Sequence, residues 1–514
     1  MFAEFVFFAA IVSTPVADSQ APPALSAPWL DTSLPADARA TLIARALTLD
    51  EMLQLLDGKW AVPQHAPRKE NELPREALGS AGFVPGVARL GIPNLQETDA
   101  SLGVAEPVVP DANRPVRGVA GYSTALPSGL ATAATWNPDI AYAGGAMIGQ
   151  EARDEGFNVL LAGGVNLARD PRNGRNFEYA GEDPLLAGTI AGMQIRGVQD
   201  RHVVSTVKHF AFNDQETNRH AVSANIASSA ARESDLLAFE TAIEIGEPGA
   251  VMCAYNRVNT VDACGNDDLL KRTLKGDWHF PGWVMSDWGG VHATTDALAG
   301  LDQESGDVFD GAPYFGAALK SAVEAGVVPR ARIEDMVHRI LRSMFAVGLF
   351  DRPQTIRPIA AEADAAVAQA DEEQAAVLLK NDGLLPLAPD VSSIAVIGEH
   401  ADVGVLAGGG SSQVWPVGGP VAVSTDFNFP NPEFWDPSSP LRAIEGEAKK
   451  ARVSFYSGAD PAIAASYAAA ARVAIVFVDQ WTAESIDAPN LSLPNAQDAL
   501  VARVAAANPR TVVL

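Results

Sequence analysis

Cysteine is scarce in this chain of 514 residues: there are two, Cys253 and Cys264, eleven residues apart. Neither belongs to a Cys-x-x-Cys pair, so the spacing of a thiolate metal site is missing. In an exported protein the two would bridge a local loop; in a cytosolic one they would be core thiols, and the bridge is the expectation. Positive charge is short as well. Thirty-seven Lys and Arg face 63 Asp and Glu, for a formal net charge of −26. Such a surface repels nucleic acid and anionic membranes, which leaves a neutral small molecule or polymer as the expected partner. The eight histidines are scattered with no His-Glu-x-x-His, so no metal site and no cofactor are implied. "GGGSS" (408–412) follows the apolar "IAVIG" but lacks the Lys and the spacing of a phosphate-binding loop. Beyond the N-terminus no apolar run reaches about 20 residues, so no internal membrane span is expected.

The N-terminus, "MFAEFVFFAAIVSTPVADSQA", holds a short apolar block followed by small residues, the pattern of a signal peptide over residues 1–21. No Lys or Arg precedes the block and Glu4 sits where positive charge belongs. Export to the periplasm or the medium is the expectation.

The length points to two domains. From about residue 30 to 350, apolar runs alternate with helical segments: "FNVLLAGGVNLARD", "VVSTVKHFAFND", "GAVMCAYN" and "GWVMSDWGG" are separated by stretches such as "ESDLLAFETAIEIG" and "NDDLLKRTLKGDW". Runs rich in Val, Leu and Met, ending in polar residues, read as strands buried on both faces of a parallel sheet. The polar ends are Arg169 and Asp170, Lys208 and His209, Tyr255 and Asn256, and Asp287 and Trp288. In a closed β/α barrel all strand C-termini share one rim, where sites form. One such end would merely start a loop; four in succession point to a site. "RARIEDMVHRILRSMFAVGLFDRP" reads as an amphipathic helix with Ile333, Met336, Ile340, Met344 and Phe345 on one side. Residues 351–372, Ala-rich after Pro353, read as a connection. A second α/β pattern follows over 373–514, with "SSIAVIGEHAD", "VAIVFVDQW" and "TVVL" as strands of an open, doubly wound sheet. Because "TVVL" reads as the start of a strand, the expectation is a fragment with an incomplete second domain.

Taken in order, these motifs resemble glycoside hydrolase family three, the β-glucosidase group. "LARDPRNGRNFEYAGEDP", "VKHFAFNDQETNR", "VMCAYNRVN" and "VMSDWGG" are similar to its barrel motifs, and "VLLKNDGLLPL" and "GGGSSQVWP" to those of its second domain. The resemblance implies a TIM-like β/α barrel followed by an α/β sandwich, with the site between them. It also implies an exo-acting, retaining β-glucosidase that takes a β-glucoside or gluco-oligosaccharide. The alternatives are a β-xylosidase of the same family and an inactive sugar-binding homologue. The oligomeric state is not legible in the sequence.

By the same resemblance Asp287 is the nucleophile, held at a strand end, with Trp288 beside it to pack on a sugar face. From "SDWGG" alone Asp287 reads as a helix cap. Glu484 in "WTAESIDAPNLSLP" is the general acid/base, ahead of Asp487, a role that calls for a pKa raised by burial or nearby negative charge. Asp99 in "ETDASLGV", Arg169, Lys208 and His209 are expected to bind sugar hydroxyls, and Tyr255 to hydrogen-bond Asp287. Arg219 reads as a cation behind the pocket or a solvated helix charge. Asn173 stands where the family often has Trp.

Overall fold

The apolar runs form strands that curl into a barrel. The computed structural model describes residues 27–61, 76–105, 122–419, 421 and 435–514; the leader read at 1–21 lies outside the described residues. Eight strands lie side by side in the order Trp283–Ser286, Ala250–Cys253, Val204–Phe210, Val159–Leu161, Leu95–Asp99, Gly82–Val84, Asp57–Trp60 and Glu304–Ser305. The ends meet: Met285 bridges Gln303 in parallel, and the Ser286 N–H donates to the Gln303 carbonyl at 3.0 Å. One strand departs from the all-parallel reading. Gly82–Val84 runs antiparallel to both its neighbours.

Helices pack around this barrel, and their starts are fixed locally. Asp183 caps the Pro184–Gln199 helix by accepting from the Leu186 N–H at 2.9 Å, with Pro184 at the first helical position. The "EDP" of the motif is therefore a helix start. The Arg330–Ala346 helix buries Ile333, Met336, Ile340, Met344 and Phe345 against the main core, the face that its periodicity marks. "NDDLLKRTLKGDW" is helical over Asp268–Asp277, wound with π geometry. The segment read as a connection carries most of a helix, Ala361–Ala375, which docks on the barrel through an Asp371–Thr132 hydrogen bond of 2.7 Å.

The second domain is a parallel sheet in the order Arg452–Tyr456, Ser393–Ile397, Val473–Val476, Thr511–Val513. The Pro461–Ala469 and Gln497–Ala507 helices cover one face through Ala464, Ala468, Leu500 and Val504. Leu441 and Ile444, on the Pro440–Glu447 helix, pack on the other. Chain order reverses between the Ser393–Ile397 and Val473–Val476 strands. At such a switch point the loops leaving the two carboxyl ends diverge and open a crevice. These loops carry Ser411 and Ser412 on one side and Glu484 on the other, and a Gly409–Ala483 bridge zips them together. Among the described residues no helix is long and apolar enough to cross a membrane.

Candidate active site

Strand ends from the barrel and the zipped loops of the second domain converge on one mouth. Asp287 follows the Trp283–Ser286 strand directly and is buried; one oxygen accepts from the Trp288 backbone N–H at 2.9 Å and the other faces His209 Nε2 at 3.7 Å. The turn is backed by the Cys253–Cys264 disulfide, whose Cys264 lies against Gly290. Tyr255, two residues past Cys253, lies against the Asp287 carboxylate. Burial pushes the Asp287 carboxyl up, and Arg175 and Arg219 pull it back part of the way.

His209 stays neutral because it is fully buried beside Arg175, Lys208 and Arg219. Its Nε2 faces Asp287 at 3.7 Å, beyond hydrogen-bond distance, and its Nδ1 is hydrogen-bonded with the Tyr179 hydroxyl at 3.0 Å. The Val204–Phe210 strand loses register with its neighbour between Val207 and Phe210, which turns Lys208 and His209 towards the mouth. Lys208 Nζ reaches Asp99 Oδ1 at 3.4 Å. Burial raises the Asp99 carboxyl to about 6, with Lys208 opposing. Trp288 is half-buried, its indole N–H donating to the Ala81 carbonyl at 3.1 Å.

Glu484 enters from the second domain and is buried. Arg219 donates to its Oε1 at 2.7 Å and Arg175 lies 3.4 Å from the same oxygen. The Ser411 N–H and hydroxyl donate to Oε2 at 2.8 and 2.6 Å. Only glycine fits at 410: its φ is +106°, and a Cβ there would stand 2.4 Å from the Glu484 Cβ. Burial favours the neutral acid, but Arg175, Arg219 and Ser411 outweigh it and hold Glu484 well below the usual carboxylate range. The sequence calls for a raised value at this residue. Cations from two barrel loops reverse the sign.

Arg169 makes no hydrogen bond or ion pair with Asp287 or Glu484. Its guanidinium pairs with Asp235, donates to the Ser234 hydroxyl at 2.8 Å and lies 3.4 Å from Asp214. After the Asp170–Asn176 turn comes the arginine that does reach Glu484: Arg175, fully buried against Glu178 and 3.4 Å from Glu484. Asn173 shapes this turn, its side chain accepting from the Arg175 N–H at 3.1 Å. Sequence reasoning missed Arg175 and also Glu178, which accepts from Ser412 at 2.6 Å and Ser101 at 3.1 Å. One sequence signal was there: a glycine immediately before the arginine. A Cβ at Gly174 would sit 2.0 Å from the Ile486 carbonyl oxygen, so the second domain presses directly on this turn. Arg219 is no solvated charge. It pairs with Glu216 and Glu484 at 2.7 Å each and covers the Tyr255 ring at 4.5 Å.

The placement of Arg169 gives a testable consequence. Arg169→Ala should leave kcat/KM within about twofold of wild type, because no catalytic group loses a partner. Asp235 would be left buried and unpaired, a loss held to about 1–2 kcal/mol because the arginine is half-exposed. Thermal melting and turnover kinetics check both; a raised KM with unchanged melting would return Arg169 to the pocket.

Barrel and switch-point sheet define a two-domain α/β protein in which two buried carboxylates, Asp287 and Glu484, share the field of Arg175 and Arg219. Comparison with known proteins gives the particular family. Residues 107–343 match the glycosyl hydrolase family 3 N terminal domain and 376–514 the C-terminal domain of the same family. A probable β-glucosidase L of Aspergillus fumigatus is 34% identical over 465 residues, 84% of this chain and 62% of that protein. A β-glucosidase of Rhizobium radiobacter is 37% identical over 343 residues, 66% of this chain and 41% of that protein. The chain thus spans between two fifths and two thirds of these relatives' length. Among solved structures, DesR, a β-glucosidase from Streptomyces venezuelae in complex with D-glucose, superposes with a TM-score of 0.77 at 30% identity, covering 92% of this chain and 71% of that one. β-Glucosidase 3B from Thermotoga neapolitana, in complex with α-D-glucose, gives 0.79 at 26% identity over 92% and 68%. The chain belongs to glycosyl hydrolase family 3.

Proposed function

We propose that this protein is a retaining exo-β-glucosidase that releases terminal β-D-glucosyl residues by double displacement. The observation that carries the reading is the meeting of two buried carboxylates, Asp287 from a barrel strand end and Glu484 from the second domain, in one field of arginines. Asp287 attacks the anomeric carbon while Glu484 protonates the departing oxygen; Glu484 then takes a proton from the water that hydrolyses the glycosyl ester. The free site holds Glu484 as the carboxylate, the form the second step uses. For the first step it must gain a proton, which the loss of water around a bound sugar favours. Asp99, Lys208 and His209 bind sugar hydroxyls, as does Arg175, whose buried Nη2 has no partner among the described residues. Trp288 offers its ring to a sugar face. Glucose as the sugar is supported by the relatives' names and by the D-glucose in the Streptomyces complex. The disulfide supports the reading of an exported protein.

Incubation with a 2-fluoro-β-glucoside, followed by intact mass and peptide mapping, tests the proposal. One added sugar on the peptide bearing Asp287 is the expected result. A folded protein that gains no adduct, or gains it elsewhere, would sink it.

A further inference from the structure

Asp487 stands three residues after Glu484 and has no place in the chemistry above. Its two carboxylate oxygens are nonetheless crowded with donors from the other domain. Oδ1 accepts from the Gly174 N–H at 3.1 Å and the Glu216 N–H at 3.0 Å; Oδ2 accepts from the Thr217 N–H at 2.8 Å and the Thr217 hydroxyl at 2.7 Å. The two barrel loops contacted in this way are the ones that deliver the cations around Glu484. Arg175 directly follows Gly174, and Arg219 lies two residues past Thr217 and bonds to Glu216.

The same short segment is pinned on either side. The Ser485 N–H donates to Glu216 at 2.6 Å and the Ala488 N–H to the Arg172 carbonyl at 2.7 Å. The carbonyls of Ala483 and Ile486 press on Gly174. Asp487 is thus the knot where the Glu484 loop, the Arg175 turn and the Arg219 loop are tied. Four donors on two oxygens require a carboxylate: an isosteric amide keeps one acceptor and aims its NH2 at the other pair.

We infer that Asp487 is a positioning residue for the general acid/base, holding Glu484 and its two arginines in register across the domain boundary. The inference rests on the reading of Glu484 as the acid/base. It has a signature that a merely structural role lacks. Protonation of the departing oxygen matters for a poor leaving group and hardly at all for a good one, so a misplaced acid slows the two unequally.

The test compares wild type, Asp487→Asn and Thr217→Val on methyl β-glucoside and on 2,4-dinitrophenyl β-glucoside, with Glu484→Gln as reference. For Asp487→Asn, kcat/KM on the methyl glucoside should fall about 100-fold and on the dinitrophenyl glucoside less than about threefold. Thr217→Val removes one of the four donors and should show the same pattern at smaller size, which keeps the test sound if the Asn variant folds poorly. Combined, the two should be less than additive. Equal losses on both substrates, or no loss, would overturn the inference. A wild-type chain that cleaves neither glucoside would overturn the glucosidase reading first and this one with it, and that outcome is visible before any substitution is made.

Discussion

Asp287→Asn should lower kcat/KM on any aryl β-glucoside by about 10⁴-fold or more, the scale on which a covalent-catalysis group is missed, without lowering the melting temperature. The geometry separates the two effects. The Asn side-chain oxygen can still accept from the Trp288 N–H, so the turn at the strand end survives. What disappears is the oxygen facing His209 and the charge that the proposed nucleophile requires. The stability sign follows from the raised pKa. A carboxyl raised above its unfolded value is easier to bury protonated, so its ionised form is a cost to the fold at neutral pH, and the amide removes that cost. A truncated variant adds stereochemical evidence. With Asp287→Gly, external azide attacks from the vacated face and should give the α-glucosyl azide. With Glu484→Ala, the covalent intermediate still forms and azide should give the β product. A β product from the Asp287 variant, or near-normal activity in the Asn variant, would remove Asp287 from the nucleophile's place.

The placing of Asp287, Lys208, His209 and Tyr255 at one mouth was legible because each lies at or just past the end of an apolar strand, and a barrel sends such ends to one rim. Arg169 fits that rule in sequence and breaks it in space. "RDPRNGR" holds three arginines, and which of them faces inward depends on a turn shaped by Asp170, Asn173 and Gly174 and pressed by the second domain. No local pattern carries that information. The antiparallel Gly82–Val84 strand is three residues long, too short for alternation to show. The Ala361–Ala375 helix is rich in alanine and acid with little amphipathic contrast, so it reads as a connection although it packs on the barrel. The charge state of Glu484 was the least legible of all. Its sign is set by Arg219 and Arg175, which are 265 and 309 residues away in the chain.

That dependence makes Arg175→Met the most damaging substitution outside the carboxylates. Arg175 is fully buried between Glu178 and Glu484, with Glu216 also in its field. Methionine fills much of the volume and supplies no charge, so Glu178 is left buried without its cation and Glu484 keeps Arg219 alone. Breaking a buried pair in this way costs about 3–5 kcal/mol. The pH dependence gives the effect its signature. In the wild type, Glu484 and Glu178 have folded pKa values below their unfolded ones. Their stabilisation is therefore present above about pH 4.5 and lost as pH falls through the folded values. In the variant both carboxyls move up, so the deficit should be largest at neutral pH and should shrink as acid protonates them. Melting curves of both proteins at pH 7 and pH 4 measure this. A gap in melting temperature that stays constant, or widens towards pH 4, would mean that Arg175 acts through packing alone, and that Glu484 owes its ionised state to Arg219 and Ser411.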